Sequence, residues 1–128
     1  MDHFARLNQP PLSPPGWVFP VVWTILFALM GLSAGLIAVS GASRSVIRTA
    51  LGVYALQLAV NFFWSILFFN LQLYFLSFLW LVLLWVLIAL TILLFSRISR
   101  PAAALLVPYL LWVTFAGYLN FGIFLLNK

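Results

Sequence analysis

The chain has 128 residues, of which 66% are hydrophobic and 5% are charged, against about 25% charged residues in ordinary soluble domains. A soluble domain of this size cannot cover that much apolar surface, so we predict an all-α integral membrane protein that forms a single domain over residues 1–128. The net charge of +5 comes from only six basic residues, which excludes a nucleic-acid-binding surface, and the absence of cysteine excludes disulfides and thiolate chemistry.

The first predicted helix follows a polar, proline-rich start. Residues 1–15 lack the apolar core of a cleavable signal peptide, and Pro14 and Pro15 end that segment. Trp17 then suits the boundary between water and lipid, where an amphipathic ring is stable. Pro20 lies in the first helical turn or just past it, where a missing N–H costs little. We therefore predict a membrane helix over about residues 17–39.

Three further apolar stretches complete the pattern, over about residues 46–69, 74–95 and 102–126. Each has the roughly 20 residues that a helix needs to cross a hydrocarbon layer of about 30 Å. A closed barrel would show alternating polarity, which is absent, so helices are the only spanning structure left. The predicted links lie at residues 40–44, 70–72 and 96–101. Because these links are short, neighbouring helices must run antiparallel.

The basic residues predict an orientation. Four arginines fall on one side of the predicted bundle, whereas Arg6 and Lys128 fall on the other. The positive-inside rule places the side with more basic residues in the cytoplasm. We therefore expect a multi-pass protein of a bacterial inner membrane, with the arginine loops facing inward. The four arginines are Arg44, Arg48, Arg97 and Arg100.

Three helices carry aromatic side chains along one face, and two of those faces also carry amides. Positions three or four residues apart share a helical face. If these faces converge, they form a mostly aromatic pocket with a few hydrogen-bonding groups, which is the usual composition of a small-molecule site. The faces are Trp23, Phe27 and Met30 on the first helix, Gln57, Asn61, Trp64 and Phe68 on the second, and Tyr109, Trp112, Ala116 and Asn120 on the last.

Each of these features also has a purely structural interpretation. Asn61 and Asn120 are also suited to hydrogen bonds that hold helices together, and aromatic faces are also ordinary packing. Gly31 and Gly35 have the spacing of small residues that lets helices approach closely, either within the chain or between two copies. The sequence alone leaves these interpretations open.

No Asp, Glu, Lys, Arg or His lies in the middle of any predicted helix. Proton-coupled transporters and general acid–base enzymes need such a group, so we predict neither a small multidrug-type pump nor a catalytic residue. The helices also hold no cluster of metal ligands and no axial histidine or cysteine for haem. We therefore expect no metal site.

Four segments resemble the translocator protein or tryptophan-rich sensory protein family, also known as TspO/MBR and formerly as the peripheral benzodiazepine receptors. They are PPGWVFPVVWTILFALMG at 14–31, LQLAVNFFWSILFF at 56–69, LWLVLLWVLI at 79–88 and PYLLWVTFAGYLN at 108–120. Together they are far more specific than shared hydrophobicity, and the resemblance covers about residues 4–127.

The resemblance implies a membrane bundle of five helices, often dimeric, that binds tetrapyrroles such as protoporphyrin IX or sterol-like lipids. It therefore predicts a receptor or carrier in the lipid bilayer, with no required cofactor and a homodimer as its assembly. The expected ligand-binding residues are Trp23, Phe27, Asn61, Trp64, Tyr109, Trp112, Ala116 and Asn120. The alternative is a small structural or regulatory membrane subunit that acts through helix–helix contact.

The sequence also departs from the family pattern. Only three residues precede the segment that follows the family's first helix, so we expect four of the usual five helices. Leu12 and Phe124 stand where the family has tryptophans, which disfavours the porphyrin breakdown attributed to some bacterial members and predicts a protein that is not an enzyme. Trp80 replaces an acidic residue of many animal members, and no basic residue follows Tyr118 closely enough to complete a cholesterol motif.

Overall fold

The computed structural model describes residues 16–71 and 73–127 as a bundle of four long helices. All four are long and apolar enough to cross a membrane, with mean hydropathies between 1.6 and 2.9. The all-α membrane fold predicted from the sequence is confirmed. The helices are α1 at Val18–Ala38, α2 at Arg44–Ser65, α3 at Tyr74–Ser96 and α4 at Arg100–Asn127.

Serine caps begin two of the helices earlier than the sequence pattern indicated. The Ser43 hydroxyl accepts a hydrogen bond from the backbone N–H of Val46 at 3.3 Å, so α2 begins at Arg44. Ser99 accepts in the same way from Ala102 at 3.3 Å. The expectation that Arg44 and Arg100 lie in the links was therefore wrong, because capping allows each to be the first residue of its helix.

The end of α2 widens into a π-helical turn at Ile66–Asn70. There the N–H of Leu71 donates to the carbonyl of Ile66 at 2.9 Å, and the N–H of Leu73 donates to Leu67 at 3.0 Å. These hydrogen bonds pair backbone N–H and C=O groups where the chain reverses. Such pairing is required because lipid offers these groups no partners. Gln72, in the predicted link, lies outside the described residues.

Each helix packs on its neighbours along the chain, and α1 also packs on α4. α4 packs most extensively on α3, followed by α2 on α3 and α1 on α4, whereas α1 and α2 pack less than these three pairs. Side chains join these pairs: the Ser33 hydroxyl donates to the Ala102 carbonyl at 2.7 Å, and the Trp80 indole N–H donates to the Val60 carbonyl at 2.8 Å. Two of the four arginines lie in the first turns of α2, one follows α3, and one begins α4. We call this end of the bundle the arginine end.

Both the interior and the exterior of the bundle are apolar. Ile37, Leu84 and Phe95 are fully buried in the core, whereas Phe62 and Leu111 on the outside are each 64% exposed. A protein with such an apolar exterior would aggregate in water, whereas a bilayer solvates that surface. The burial pattern therefore matches a bundle that is surrounded by lipid.

Candidate functional site

Most of the buried polar side chains of the bundle form two hydrogen-bonded groups, whereas Ser33 and Thr91 bond backbone carbonyls elsewhere. We call the first the Tyr109 group, made of Gln57, Asn61 and Tyr109, and the second the Asn120 group, made of Trp64, Ser77 and Asn120. All six are at most 5% exposed. Polar groups at this depth are costly in lipid and face the bundle interior. These two groups are therefore the candidates for a function beyond spanning the membrane.

In the Tyr109 group, a phenol bridges two amides of α2. The Tyr109 hydroxyl donates to Gln57 Oε1 at 2.6 Å and accepts from Asn61 Nδ2 at 2.8 Å. Gln57 and Asn61 reach the same hydroxyl because they are four residues apart on one face of α2. Gln57 Nε2, however, is buried without a hydrogen-bond partner. An unpaired buried amide N–H costs about 1–3 kcal/mol, so this atom is a ready donor to an acceptor placed beside it.

An aromatic cluster lies against Tyr109 across the interface of α1 and α4. The ring of Trp23 packs edge-on against Tyr109 at 6.1 Å and against Trp112 at 6.5 Å, and it stacks on Phe27 at 5.6 Å. Phe19 packs edge-on against Trp112 at 5.7 Å. The indole Nε1 of Trp112 is a second buried donor without a partner. One unpaired donor thus belongs to the aromatic cluster, and the other is joined to it through the Tyr109 hydroxyl.

The Asn120 group is different because its carboxamide is satisfied at both ends. Asn120 Oδ1 accepts from Trp64 Nε1 at 3.1 Å and lies 3.0 Å from the hydroxyl of Ser77. Its Nδ2 donates to the backbone carbonyl of Tyr74 at 2.8 Å. Asn120 therefore ties α2, α3 and α4 together near the end opposite the arginines. The ring of Trp64 also stacks on Phe68 at 5.4 Å.

The structure divides the eight residues predicted for the site. Five gather around the Tyr109 group and its aromatic cluster, namely Trp23, Phe27, Asn61, Tyr109 and Trp112. Trp64 and Asn120 form the second group, because α4 carries Asn120 about three turns beyond Tyr109. Ala116 is buried on α4 between the two groups.

Two residues near the cluster were absent from the predicted site. Gln57 lies on the same predicted helix face as Asn61, outside the predicted site, and it accepts the hydrogen bond from Tyr109. Phe19 contacts Trp112, and its only sequence signal was its place four residues before Trp23. Within the part of the chain that the structure describes, no group of three or more His, Cys, Asp or Glu side chains is placed to hold a metal ion.

Comparison with known sequences decides the family. The profile of the TspO/MBR family matches residues 1–126. The chain belongs to the TspO/MBR family. It is 44% identical to the tryptophan-rich protein TspO of Chlorobaculum tepidum over 98% of this chain and 79% of that protein. It is 38% identical to the tryptophan-rich sensory protein of Cereibacter sphaeroides, covering 98% of this chain and 77% of the relative.

An animal relative shows the same similarity. The chain is 38% identical to the translocator protein of Ovis aries over 92% of this chain and 70% of that protein. The resemblance to the TspO/MBR family seen in the four sequence segments is therefore confirmed. Membership makes this chain a multi-pass integral membrane protein and supports a membrane receptor role at the level of the family.

Proposed function

We propose that this chain is a receptor or carrier for a flat, largely apolar ligand, a tetrapyrrole, at the aromatic cluster between α1 and α4. The observation that carries the proposal is the pair of unpaired buried donors, Gln57 Nε2 and Trp112 Nε1, beside that cluster. A tetrapyrrole offers a wide π-surface for the rings and carboxylate side chains as acceptors. Offset aromatic contacts add about 0.5–1.5 kcal/mol each beyond burial.

The ligand reaches this cluster from the lipid. Phe27 is 50% exposed on the outside of α1 and stacks on Trp23, which is half-buried. The two rings therefore form a continuous path from the bilayer to Tyr109. The rings occupy the site themselves in this structure, so binding exchanges ring–ring contacts for ring–ligand contacts.

Titration with protoporphyrin IX in detergent tests this function, read as quenching of tryptophan fluorescence and as a shift of the porphyrin absorbance. We expect saturable quenching that Trp23→Ala weakens. Trp85→Phe is the matched control, because Trp85 lies on the outer face and bonds Thr114 there. Quenching that does not saturate, or that weakens equally in both variants, would contradict the proposal.

A sterol-like lipid is the second candidate ligand, and a separate surface favours it. A groove of about 410 Å³ lies on the outer face between α3 and α4, lined by apolar and aromatic side chains that include Trp85, Tyr118 and Phe121. Gly117 forms part of its wall, and a Cβ built there would meet Leu81 at an ordinary 3.7 Å. Gly117→Leu should therefore narrow the groove and lower sterol binding while leaving porphyrin binding unchanged.

The assembly we propose is a homodimer formed through α1. Nothing lies within 4 Å of a Cβ built at Gly31 or Gly35, so these glycines do not serve packing within the described residues. Small residues at this spacing let two membrane helices approach closely. Gly35→Leu should reduce cross-linking of the dimer in vesicles. If a different protein is captured through this surface and no porphyrin binds, the chain acts instead as a structural or regulatory subunit.

The positions of the charged residues support the chemical role and the orientation that we propose. The described helices carry no Asp, Glu, Lys, Arg or His in their middle, so we propose binding without catalysis and without a required cofactor. The arginine end faces the cytoplasm of a bacterial cell membrane, in agreement with the positive-inside rule. Labelling of single introduced cysteines from either side of intact cells would test that orientation.

A further inference from the structure

A groove that the proposed ligand site does not use lies at the arginine end. It runs between the first turns of α2 and the last turns of α3 and has a volume of about 400 Å³. Ser45, Thr49 and Arg97 form its polar part, and Val46, Leu94 and Ile98 form its apolar part. We call it the Arg97 groove. Ala50, which is 1% exposed, allows the two helices to leave this space because its side chain is short.

The charge at this end has no partner within the chain's helices. Arg44 and Arg48 lie in the first two turns of α2 but do not line the groove, and Arg100 begins α4. The sequence contains a single acidic residue, Asp2, so no carboxylate side chain exists between residues 16 and 127. Four exposed guanidinium groups at one end of a membrane bundle therefore attract anions from outside the chain.

The shape of the groove indicates which anion. Arg97 directly follows α3, at the boundary between lipid and water, whereas Val46 and Leu94 continue the wall into the span. Val46 is 48% exposed, and Leu93 beside the groove is 59% exposed, so the apolar wall opens to the bilayer. A free inorganic anion makes no favourable contact with such an apolar wall. A phospholipid matches both parts, with its phosphate at the charged end and an acyl chain along the apolar end.

We propose that the Arg97 groove binds one anionic phospholipid, with the phosphate at Arg97 and Ser45 and an acyl chain against Val46 and Leu94. Guanidinium groups bind phosphate oxygens in a bidentate way. The start of α2 adds the positive end of its helix dipole, in the first turn where Ser45 lies. Basic pockets between membrane helices are a general type of site for anionic headgroups.

The position of the groove gives the lipid a structural effect. α2 and α3 are joined by a tight turn at the opposite end, so at the arginine end only packing holds them together. The ring pair of Tyr54 and Phe95, stacked at 6.0 Å, lies further into the bundle on the same two helices. A lipid that bridges Ser45 and Arg97 closes this seam beyond the ring pair. Anionic lipid should therefore raise the unfolding temperature.

The experiment measures which lipid the protein retains. The full chain is reconstituted in vesicles with equal amounts of phosphatidylglycerol and phosphatidylcholine, extracted in mild detergent and analysed by native mass spectrometry. We expect one retained lipid per chain, enriched in phosphatidylglycerol. Arg97→Gln should lower that enrichment about fivefold, the effect of one basic residue near an anionic surface.

Two further variants separate the groove from general attraction of charge. Arg100→Gln makes the same charge change at the same end but does not line the groove, so it should cause only the small loss of a screened surface charge. Val46→Trp keeps all four arginines and fills the apolar part, so it should lower the enrichment as Arg97→Gln does. Both sites are exposed, so the variants should fold, which size-exclusion chromatography verifies.

Three outcomes would overturn the assignment. The first is wild-type protein without enrichment of phosphatidylglycerol, and the second is equal losses in Arg97→Gln and Arg100→Gln. The third comes from adding inorganic phosphate during extraction: if phosphate displaces the lipid as well as added phosphatidylglycerol does, the groove is a phosphate site. Retained lipid that resists phosphate, with a large loss of enrichment in Arg97→Gln and Val46→Trp and a small one in Arg100→Gln, supports the proposal.

Discussion

The Tyr109 group and the Asn120 group are built from the same kinds of side chain but differ in how completely they are paired. Around Asn120, the carboxamide on α4 has partners at both ends, on α2 and α3. Around Tyr109, the phenol has two partners but Gln57 Nε2 has none. A complete network holds helices together and has little left to offer a ligand. An incomplete one keeps a donor that a ligand can use, so we propose that the Asn120 group serves stability and the Tyr109 group serves binding.

Asn120→Leu should have the largest effect of any single change on this comparison. It removes the acceptor of the buried Trp64 indole and one of the two acceptors of the Ser77 hydroxyl, and the Tyr74 carbonyl loses one of its donors. We expect a loss of about 1–3 kcal/mol in the free energy of unfolding. Unfolding in detergent, followed by tryptophan fluorescence, measures it. Ser77→Ala removes one of these donors and should cost less.

Binding of porphyrin by Asn120→Leu is the second half of that experiment. Below its unfolding transition, the variant should keep an affinity close to that of the wild type, because the Tyr109 group is intact. A variant that melts as the wild type does but no longer binds would reverse the roles of the two groups.

Gln57→Leu is expected to act in the opposite way. It removes the unpaired donor together with the acceptor of the Tyr109 hydroxyl, so the gain and the loss in stability partly cancel to within about 1 kcal/mol. Porphyrin affinity should fall about tenfold, because a hydrogen bond to a charged carboxylate contributes about 1.5 kcal/mol or more. Titration and unfolding of the same preparation provide both numbers. A large loss of stability with unchanged affinity would contradict this assignment.

Much of this fold was predictable from the sequence, because hydropathy alone determines which segments span a bilayer. The shared face of Gln57 and Asn61 was also predictable, since spacing along a helix is enough. The hydrogen-bond partners of these side chains were not predictable. That Trp64 bonds Asn120 whereas Asn61 bonds Tyr109 depends on how the helices are rotated and crossed, and no spacing along one helix contains that information. The unpaired state of Gln57 Nε2 appears only once those partners are placed.

Trp112→Phe should produce a smaller effect at the same cluster. It removes the second unpaired donor and keeps an aromatic ring for contact with Phe19 and Trp23. We expect porphyrin affinity to fall about fivefold, the value of a neutral hydrogen bond of about 1 kcal/mol, with little change in unfolding temperature. Trp80→Phe provides a control of the same chemistry, because the Trp80 indole already donates to Val60 and should not contribute to binding. Equal affinities for the two variants would remove Trp112 from the site.

Thr114→Val should produce the smallest effect, because it breaks an interhelical hydrogen bond that belongs to neither group. The Trp85 indole donates to the Thr114 hydroxyl at 2.9 Å on the exposed face between α3 and α4. Interhelical bonds in membranes average about 0.6 kcal/mol, and an indole at the surface can turn toward other acceptors. We expect a loss of about 0.5 kcal/mol or less and unchanged porphyrin binding. A loss as large as that of Asn120→Leu would mean that burial and complete pairing do not distinguish the Asn120 group, and that any bond between these helices contributes equally.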